Sequence, residues 1–246
     1  MDFIVKLPAT ERGNDAILVV VDRFSKYVVL EPCSERMTSP ELVATLKRKL
    51  VAEKGYPMQI VADRDVRITA VAFTEWAKEF GIELRLNTSY HSRANGQAER
   101  MNLVVENYLR AFVDAGMSNW DELLPVCQLT INNSYHSSVD NTPFYLEYGR
   151  HPYIPGITTF KRAGVSRAEV ATLRRQWPES FRNALLHARE TMKKATERAK
   201  RHFDTRRKVV EFDVGDRILL STKNLKLKGV PCVKFCLLYT SPSPRD

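Results

Sequence analysis

A chain of 246 residues with 43% hydrophobic and 27% charged residues has an ordinary globular composition. No apolar stretch approaches the roughly 18 residues of a membrane span, and the N-terminus lacks a secretory pattern, so no membrane role is expected. The net charge of +9 is unevenly placed, because residues 1–150 carry 17 Lys and Arg against 20 Asp and Glu, whereas residues 151–246 carry 21 against 9. That asymmetry favours a polyanionic ligand; a solvated basic helix without a ligand is the alternative.

The first half of the chain predicts an alternation of strands and helices. Residues 16–21 form a continuous apolar run typical of a buried strand, and a short connection leads to a second strand at 27–30. Ser39-Pro40 marks the start of a helix that ends before Gly55. The strand that follows, 58–62, delivers Asp63 at its carboxyl end, where catalytic groups gather in α/β sheets.

A helix from about Val71 to Phe80 and a strand at 82–86 lead to the run 91–100, which opens a long helix. Its apolar residues recur at helical spacing and are predicted to face the core: Met101, Val104, Val105, Tyr108, Leu109 and Phe112. The predicted outer face carries Glu99, Asn102, Glu106 and Arg110.

Four further segments complete the predicted elements. Helices are expected from Trp120 and from Pro143. After an interruption at Pro178, a long basic helix carries a narrow apolar seam, and residues 212–220 read as a turn and strand of a small β module. The four cysteines fit no zinc spacing and favour a reduced intracellular compartment: Cys33, Cys127, Cys232 and Cys236.

Three carboxylates carry the strongest chemical signal. Asp63 and Glu99 have 35 residues between them, and Asp2 lies at the start of an apolar, strand-like segment. Convergence of the three would create a metal site suited to phosphodiester chemistry. Glu99 fits a metal ligand and a solvated acid about equally by position alone. Asp65 and Asp22 are the nearby acids that compete for the same role.

Seven motifs occur in an order that resembles the integrase of gypsy-type LTR retrotransposons, which is related to retroviral integrases. The resemblance covers roughly residues 1–235. Its motifs are Met1-Asp2-Phe3-Ile4 with Leu7-Pro8, Val20-Val21-Asp22-Arg23-Phe24-Ser25-Lys26, Val61-Ala62-Asp63-Arg64-Asp65, Tyr90-His91 leading to Gly96-Gln97-Ala98-Glu99-Arg100, Thr142-Pro143-Phe144, Tyr148-Gly149-Arg150-His151-Pro152, and Val214-Gly215-Asp216.

The resemblance implies an α/β, RNase H-like fold with a mixed five-stranded sheet flanked by helices. The expected organisation is a catalytic core at 1–156 that lacks part of its first strand, a basic helical linker at 157–208, a partial small β-barrel module at 209–235 and a non-native tail at 236–246. The chain then resembles a fragment of a polyprotein. Proline is usual in the family where this chain has Val66 and Ser92.

The resemblance also implies a catalytic and metal-binding triad of Asp2, Asp63 and Glu99 that holds two Mg²⁺ or Mn²⁺ ions. The implied reactions are processing of a 3′ DNA end and transfer of that end to target DNA. Retroelement DNA ends and target DNA are the implied partners, a homo-oligomer the implied assembly and the nucleus the implied location. The alternatives are a nucleic-acid-binding relic without catalysis and a hydrolytic nuclease of the RNase H type.

Several polar and basic residues are candidates for DNA contact. The loop and helix around Glu99 provide Arg93, Asn95, Gln97 and Asn102, although any exposed polar loop would offer the same residue types. His91 either bonds substrate or packs beneath Tyr90. The basic segment provides a pattern that resembles a split nuclear-localisation signal: Lys193, Lys194, Arg206, Arg207 and Lys208.

Overall fold

The computed structural model describes residues 1–87, 96–114, 118–154, 167–205, 218–219 and 240–241. These residues have an α/β organisation, as the sequence predicts. Within these ranges, no helix combines the length and apolar character needed to cross a membrane.

The first three strands form an antiparallel sheet in the order β1-β2-β3. They are β1 (Asp2–Ile4), β2 (Ala16–Val21) and β3 (Val28–Cys33), and Asp2 lies opposite Val19 in the register. The predicted hairpin between β2 and β3 is confirmed. Its turn is held by Asp22, whose Oδ1 accepts hydrogen bonds of 2.7 Å from the backbone nitrogens of Phe24 and Ser25.

A second sheet contains two parallel strands, β4 (Gln59–Ala62) and β5 (Glu83–Leu86). The connection between β3 and β4 contains α1 (Ser39–Leu46), a π-helical turn (Lys47–Val51) and α2 (Ala52–Lys54). The connection between β4 and β5 contains α3 (Val66–Thr69) and α4 (Val71–Glu79). The Met1 nitrogen donates a 2.6 Å hydrogen bond to the Val61 carbonyl, so the residue before β1 meets β4 directly.

After β5 come three helices, of which the first two pack on the antiparallel sheet and the third packs against the second. They are α5 (Gly96–Phe112), α6 (Trp120–Asn133) and α7 (Pro143–Tyr148). Alternate β2 side chains serve two hydrophobic clusters, because successive residues of a strand point to opposite faces. Leu18 packs in one cluster with residues of α1 and α4, whereas Ile17 and Val19 pack in the other with residues of α5 and α6.

The buried face of α5 differs from the predicted one. Val105 and Leu109 are buried as expected, but the side chains of Val104 and Phe112 are exposed, at 46% and 60%. The inward face is rotated away from Val104 toward Asn102, which is half-buried, and Phe112 lies at the helix end, beyond the core. The assignment of Val104 and Phe112 to the core was therefore wrong.

The long basic helix is α8 (Arg167–Asp204), and Pro178 lies inside it instead of interrupting it. A proline removes one backbone hydrogen-bond donor from a helix, but the backbone hydrogen bonds before and after it can keep the helix continuous. Ala188 of α8 is buried with Val139 and Leu146. The expected domain boundary near 156 lies outside the described residues.

Contacts divide the chain into two compact units, Met1–Thr196 and Glu197–Asp246. Within the second unit, the described residues include the end of α8 and two short antiparallel strands, β6 (Ile218–Leu219) and β7 (Thr240–Ser241).

Candidate active site

Asp2 and Asp63 meet at one pocket although 60 positions separate them in sequence. Asp2 belongs to β1, and Asp63 directly follows β4, as predicted from the strand pattern. The pocket has a volume of about 310 Å³. Its lining comprises Met1, Asp2, Phe3, Val5, Asp63, Arg64, Asp65, Arg67 and Ile68.

Asp2 is held by two hydrogen bonds. Its Oδ1 accepts from the backbone nitrogen of Phe3 at 2.9 Å, and its Oδ2 accepts from Nδ2 of Asn102 at 2.8 Å. Burial raises the pKa of the Asp2 carboxyl above its ordinary value, the negative charge of Asp63 adds to that rise, and the two hydrogen bonds oppose it. Asp2 therefore lies where a neighbouring cation would favour its ionised form.

Asp63 is held by the strand next to its own. Asn87 follows β5, and its Nδ2 donates to Asp63 Oδ1 at 2.8 Å. The backbone nitrogen of Asn87 donates to the Ala62 carbonyl at 3.0 Å, which extends the pairing of β4 with β5 by one residue. No local pattern in the sequence singles out Asn87, because this contact depends on the register of two strands.

Glu99 lies in the first turn of α5, one turn before Asn102, and is half-buried. The helix that carries Glu99 thus contacts Asp2 through Asn102. Among the residues that the structure describes, no three Asp, Glu, His or Cys side chains are close enough together to hold a metal ion. The structure therefore brings Asp2 and Asp63 to one pocket and places Glu99 on the adjacent helix without joining it to them.

The donor set at the pocket suits a hard divalent cation. Mg²⁺ prefers carboxylate and other oxygen ligands, and Asp2 and Asp63 provide carboxylates. Oδ1 of Asn102 is buried and accepts no hydrogen bond within the described part of the chain. A buried oxygen without a partner beside a carboxylate indicates a position where a cation or its bound water would be stabilised.

Asp65, the competing acid, is occupied by a different partner. Arg67 binds it through two hydrogen bonds, Nε to Oδ1 at 2.7 Å and Nη2 to Oδ2 at 2.6 Å. Asp65 also caps α3 by accepting from the Arg67 backbone nitrogen. The hydrogen bonds from Arg67 lower the pKa of the Asp65 carboxyl despite its partial burial. Asp65 therefore belongs to an internal ion pair.

The other predicted site residues divide into described and undescribed positions. Gln97 is exposed at the start of α5, and Lys193 and Lys194 are exposed on α8. Asn102, a candidate for DNA contact, bonds Asp2 in the structure. The predicted residues outside the described part are His91, Arg93, Asn95, Arg206, Arg207 and Lys208.

Comparison with known proteins identifies the segment that carries this pocket. Residues 1–92 match the integrase core domain family. Transposon Tf2-3 and Tf2-4 polyproteins of Schizosaccharomyces pombe are each 32% identical over 158 residues, which is 64% of this chain. The resemblance to retrotransposon integrases is thereby confirmed.

The chain spans about 12% of the length of the curated relatives it matches. Two solved structures are also similar to it. A simian T-cell lymphotropic virus intasome in complex with PP2A regulatory subunit B56 gamma has 21% identity and a TM-score of 0.48, over 68% of this chain and 59% of that one. The trimeric form of the HTLV-2 integrase catalytic core domain in complex with magnesium has 19% identity and a TM-score of 0.46, over 60% of this chain and 94% of that one.

Proposed function

We propose that this integrase core catalyses metal-dependent processing of a 3′ DNA end and transfer of that end into target DNA. The observation that carries the proposal is the shared pocket of Asp2 and Asp63, contacted through Asn102 by the helix that bears Glu99. In this proposal Asp2, Asp63 and Glu99 are the catalytic and metal-binding residues.

Each acid has a support that suits this role. Asn102 and Asn87 orient the carboxylates of Asp2 and Asp63, and the N-terminal turn of α5 presents Glu99. Two Mg²⁺ or Mn²⁺ ions, when bound, would supply activation of the attacking oxygen and stabilisation of the leaving 3′ oxygen. The protein's own groups would hold the substrate phosphate in line with the attacking oxygen, which is water in processing and a 3′ hydroxyl in transfer.

The same proposal includes the complete RNase H-like architecture. The bond between Met1 and Val61 supports one mixed sheet in the order β3-β2-β1-β4-β5, in which β1 and β4 are neighbours. The domain organisation stays a proposal: a core at 1–156, a basic linker at 157–208, a partial β module at 209–235 and a terminal segment at 236–246.

We also propose the partners and the location. Retroelement DNA ends and target DNA are the proposed substrates, a homo-oligomer the proposed assembly and the nucleus the proposed site of action. The supporting features are the matches to transposon polyproteins and the excess of basic residues after position 150.

A strand-joining assay tests the reaction. The protein is incubated with Mg²⁺, a labelled duplex that carries the element's terminal sequence, and supercoiled target DNA. Wild-type protein is expected to produce joined products, and Asp63→Asn is expected to abolish them. Asp22→Asn is the matched control, because Asp22 is an exposed turn residue. Joining that survives Asp63→Asn would overturn the assignment of the site.

A second function, nucleic-acid binding without catalysis, is favoured by one observation. Within the described residues the three acids do not form a cluster that could hold an ion. This alternative predicts DNA binding that needs no metal and no joined product with either metal. Hydrolysis products alone would instead indicate a nuclease of the RNase H type.

A further inference from the structure

Arg67 connects the two chain segments that carry Asp2 and Asp63. Its guanidinium binds both oxygens of Asp65, two positions after Asp63. Its Cζ also lies 3.6 Å from the ring centre of Phe3, the residue after Asp2. One planar cation therefore contacts the β4–α3 connection through an ion pair and β1 through an aromatic ring.

The geometry of β1 gives this contact its importance. Successive side chains of a strand point to opposite faces, so Phe3 packs on one face of β1 while Asp2 projects from the other. Asn102 holds Asp2 on its own face, and Arg67 holds β1 through Phe3. Contacts on both faces therefore hold β1 in place at Asp2.

The burial of Arg67 excludes a simple solvent-exposed charge. Only 8% of its surface is accessible, and its Nη1 is buried without a hydrogen-bond partner among the described residues. Burying a guanidinium with one unsatisfied nitrogen is costly, so the remaining contacts must hold it firmly. Arg64, in contrast, lines the same pocket but is exposed, and no ion pair links it to another described residue.

We propose that Arg67 is a positioning residue that fixes Asp2 relative to Asp63 by clamping Phe3 to Asp65. This role rests on the proposed function, since its purpose is to hold the two acids at the spacing that a bound metal requires. Groups that orient metal ligands typically contribute roughly 10- to 100-fold in metal affinity or activity.

The clamp and simple electrostatics predict opposite signs for one substitution. Arg67→Met removes a positive charge beside the acids, which by charge alone would strengthen Mg²⁺ binding. The clamp predicts about 10-fold weaker Mg²⁺ binding, because Asp2 and Asp63 lose their fixed spacing. Arg64→Met is the matched control: it removes the same charge from the same pocket without touching Phe3 or Asp65, and should not weaken binding.

The experiment measures Mg²⁺ affinity by titration calorimetry and backbone amide exchange without metal, for wild type, Arg67→Met, Arg67→Lys, Phe3→Leu and Arg64→Met. Phe3→Leu keeps every charge and an apolar side chain, so it tests the clamp even where Arg67→Met fails to fold. Arg67→Met and Phe3→Leu should each bind Mg²⁺ about 10-fold more weakly and exchange faster at Ile4 and Val61. Arg67→Lys should bind Mg²⁺ nearly as weakly as Arg67→Met, because the lysine ammonium lacks the planar, two-pronged guanidinium that binds both oxygens of Asp65.

The outcomes separate the clamp from the proposed function. In strand-joining kinetics, Arg67→Met and Phe3→Leu should each show a lower kcat than wild type, with an unchanged KM for DNA. Wild-type affinity in Phe3→Leu, or tighter binding in folded Arg67→Met, would overturn the positioning role. Absence of any Mg²⁺ binding by the wild type would overturn the proposed function, and the clamp would then be decided by amide exchange alone. Amide exchange at Ile4 and Val61 that is unchanged in Arg67→Met and Phe3→Leu would overturn the clamp.

Discussion

Asn102 shows how a single side chain links the two faces of the site. It lies on α5 one turn after Glu99, and its amide donates to Asp2 on β1. The sequence marks Asn102 as polar and places it on the outer face of the helix, where DNA contact is the natural expectation. The structure turns it toward the sheet, because the inward face of α5 is centred nearer Asn102 than Val104.

Replacing Asn102 tests the support of Asp2. Asn102→Ala should lower the rate of strand joining by about 10-fold, because Asp2 loses one of its two orienting hydrogen bonds. Thermal unfolding should change little. Asn107→Ala on the exposed part of the same helix is the control, and equal rates for the two variants would contradict the role given to Asn102.

The ion pair of Asp65 predicts a defined dependence of stability on pH. Arg67 lowers the folded-state pKa of the Asp65 carboxyl. The ion pair therefore stabilises the fold fully above the unfolded-state pKa of about 3.9, and this stabilisation is lost as the pH falls through the folded-state pKa. Urea unfolding across acid to neutral pH should show Asp65→Asn less stable than wild type at neutral pH, and this difference in unfolding free energy should narrow as the pH falls below the unfolded pKa of about 3.9. A difference in unfolding free energy between wild type and Asp65→Asn that stays constant with pH would refute the ion pair as its cause.

At the scale of elements, the sequence predicts well what local patterns determine. The strand that ends before Asp63 and the β2–β3 hairpin follow from apolar runs and turn residues, and both are confirmed. The contacts of Asn87 and Arg67 depend on strands and loops that meet only in the fold. Pro178 misleads for a related reason, because a local rule against proline in helices is overridden within the long helix α8.

The junction between α7 and α8 predicts a second stability effect. Gly149 has a φ of +66°, and a Cβ added there would lie 2.5 Å from Cζ2 of Trp177 on α8. Trp177 also donates a 2.6 Å hydrogen bond to the Gly149 carbonyl. Gly149→Ala should therefore destabilise by roughly 1–3 kcal/mol beyond the cost of its positive φ, because the indole must move.

Gly13→Ala isolates the backbone part of that cost. Gly13 has a φ of +77°, and nothing lies within 4 Å of an added Cβ. Its substitution should cost only about 1–2 kcal/mol, the usual penalty for a left-handed residue with a side chain. Equal changes in unfolding free energy for Gly149→Ala and Gly13→Ala would contradict a steric cost from Trp177 at position 149.

For the whole molecule, the distribution of charge complements the proposed site. Residues 1–150 carry a small excess of acids, whereas residues 151–246 carry 21 basic residues against 9 acidic ones. In the proposed function, the basic segment would hold the DNA backbone while the pocket of Asp2 and Asp63 would hold the metal.

DNA affinity should therefore fall steeply with salt. Each phosphate contact contributes a slope of roughly 0.9 in log affinity against log salt concentration. Fluorescence anisotropy with a labelled duplex measures this slope, and Lys193→Gln with Lys194→Gln should reduce it. An affinity that does not change with salt would reject the basic segment as a DNA-binding element.

The most direct test of the central claim is to locate a bound ion. Crystals of the protein soaked in Mn²⁺ are measured for anomalous scattering, with Asp63→Asn crystals as the control. The proposed site predicts a peak between the carboxylates of Asp2 and Asp63, with Glu99 moved into contact, and no such peak in the variant. A peak that survives Asp63→Asn, or no peak at the Asp2–Asp63 pocket in the wild type, would contradict it.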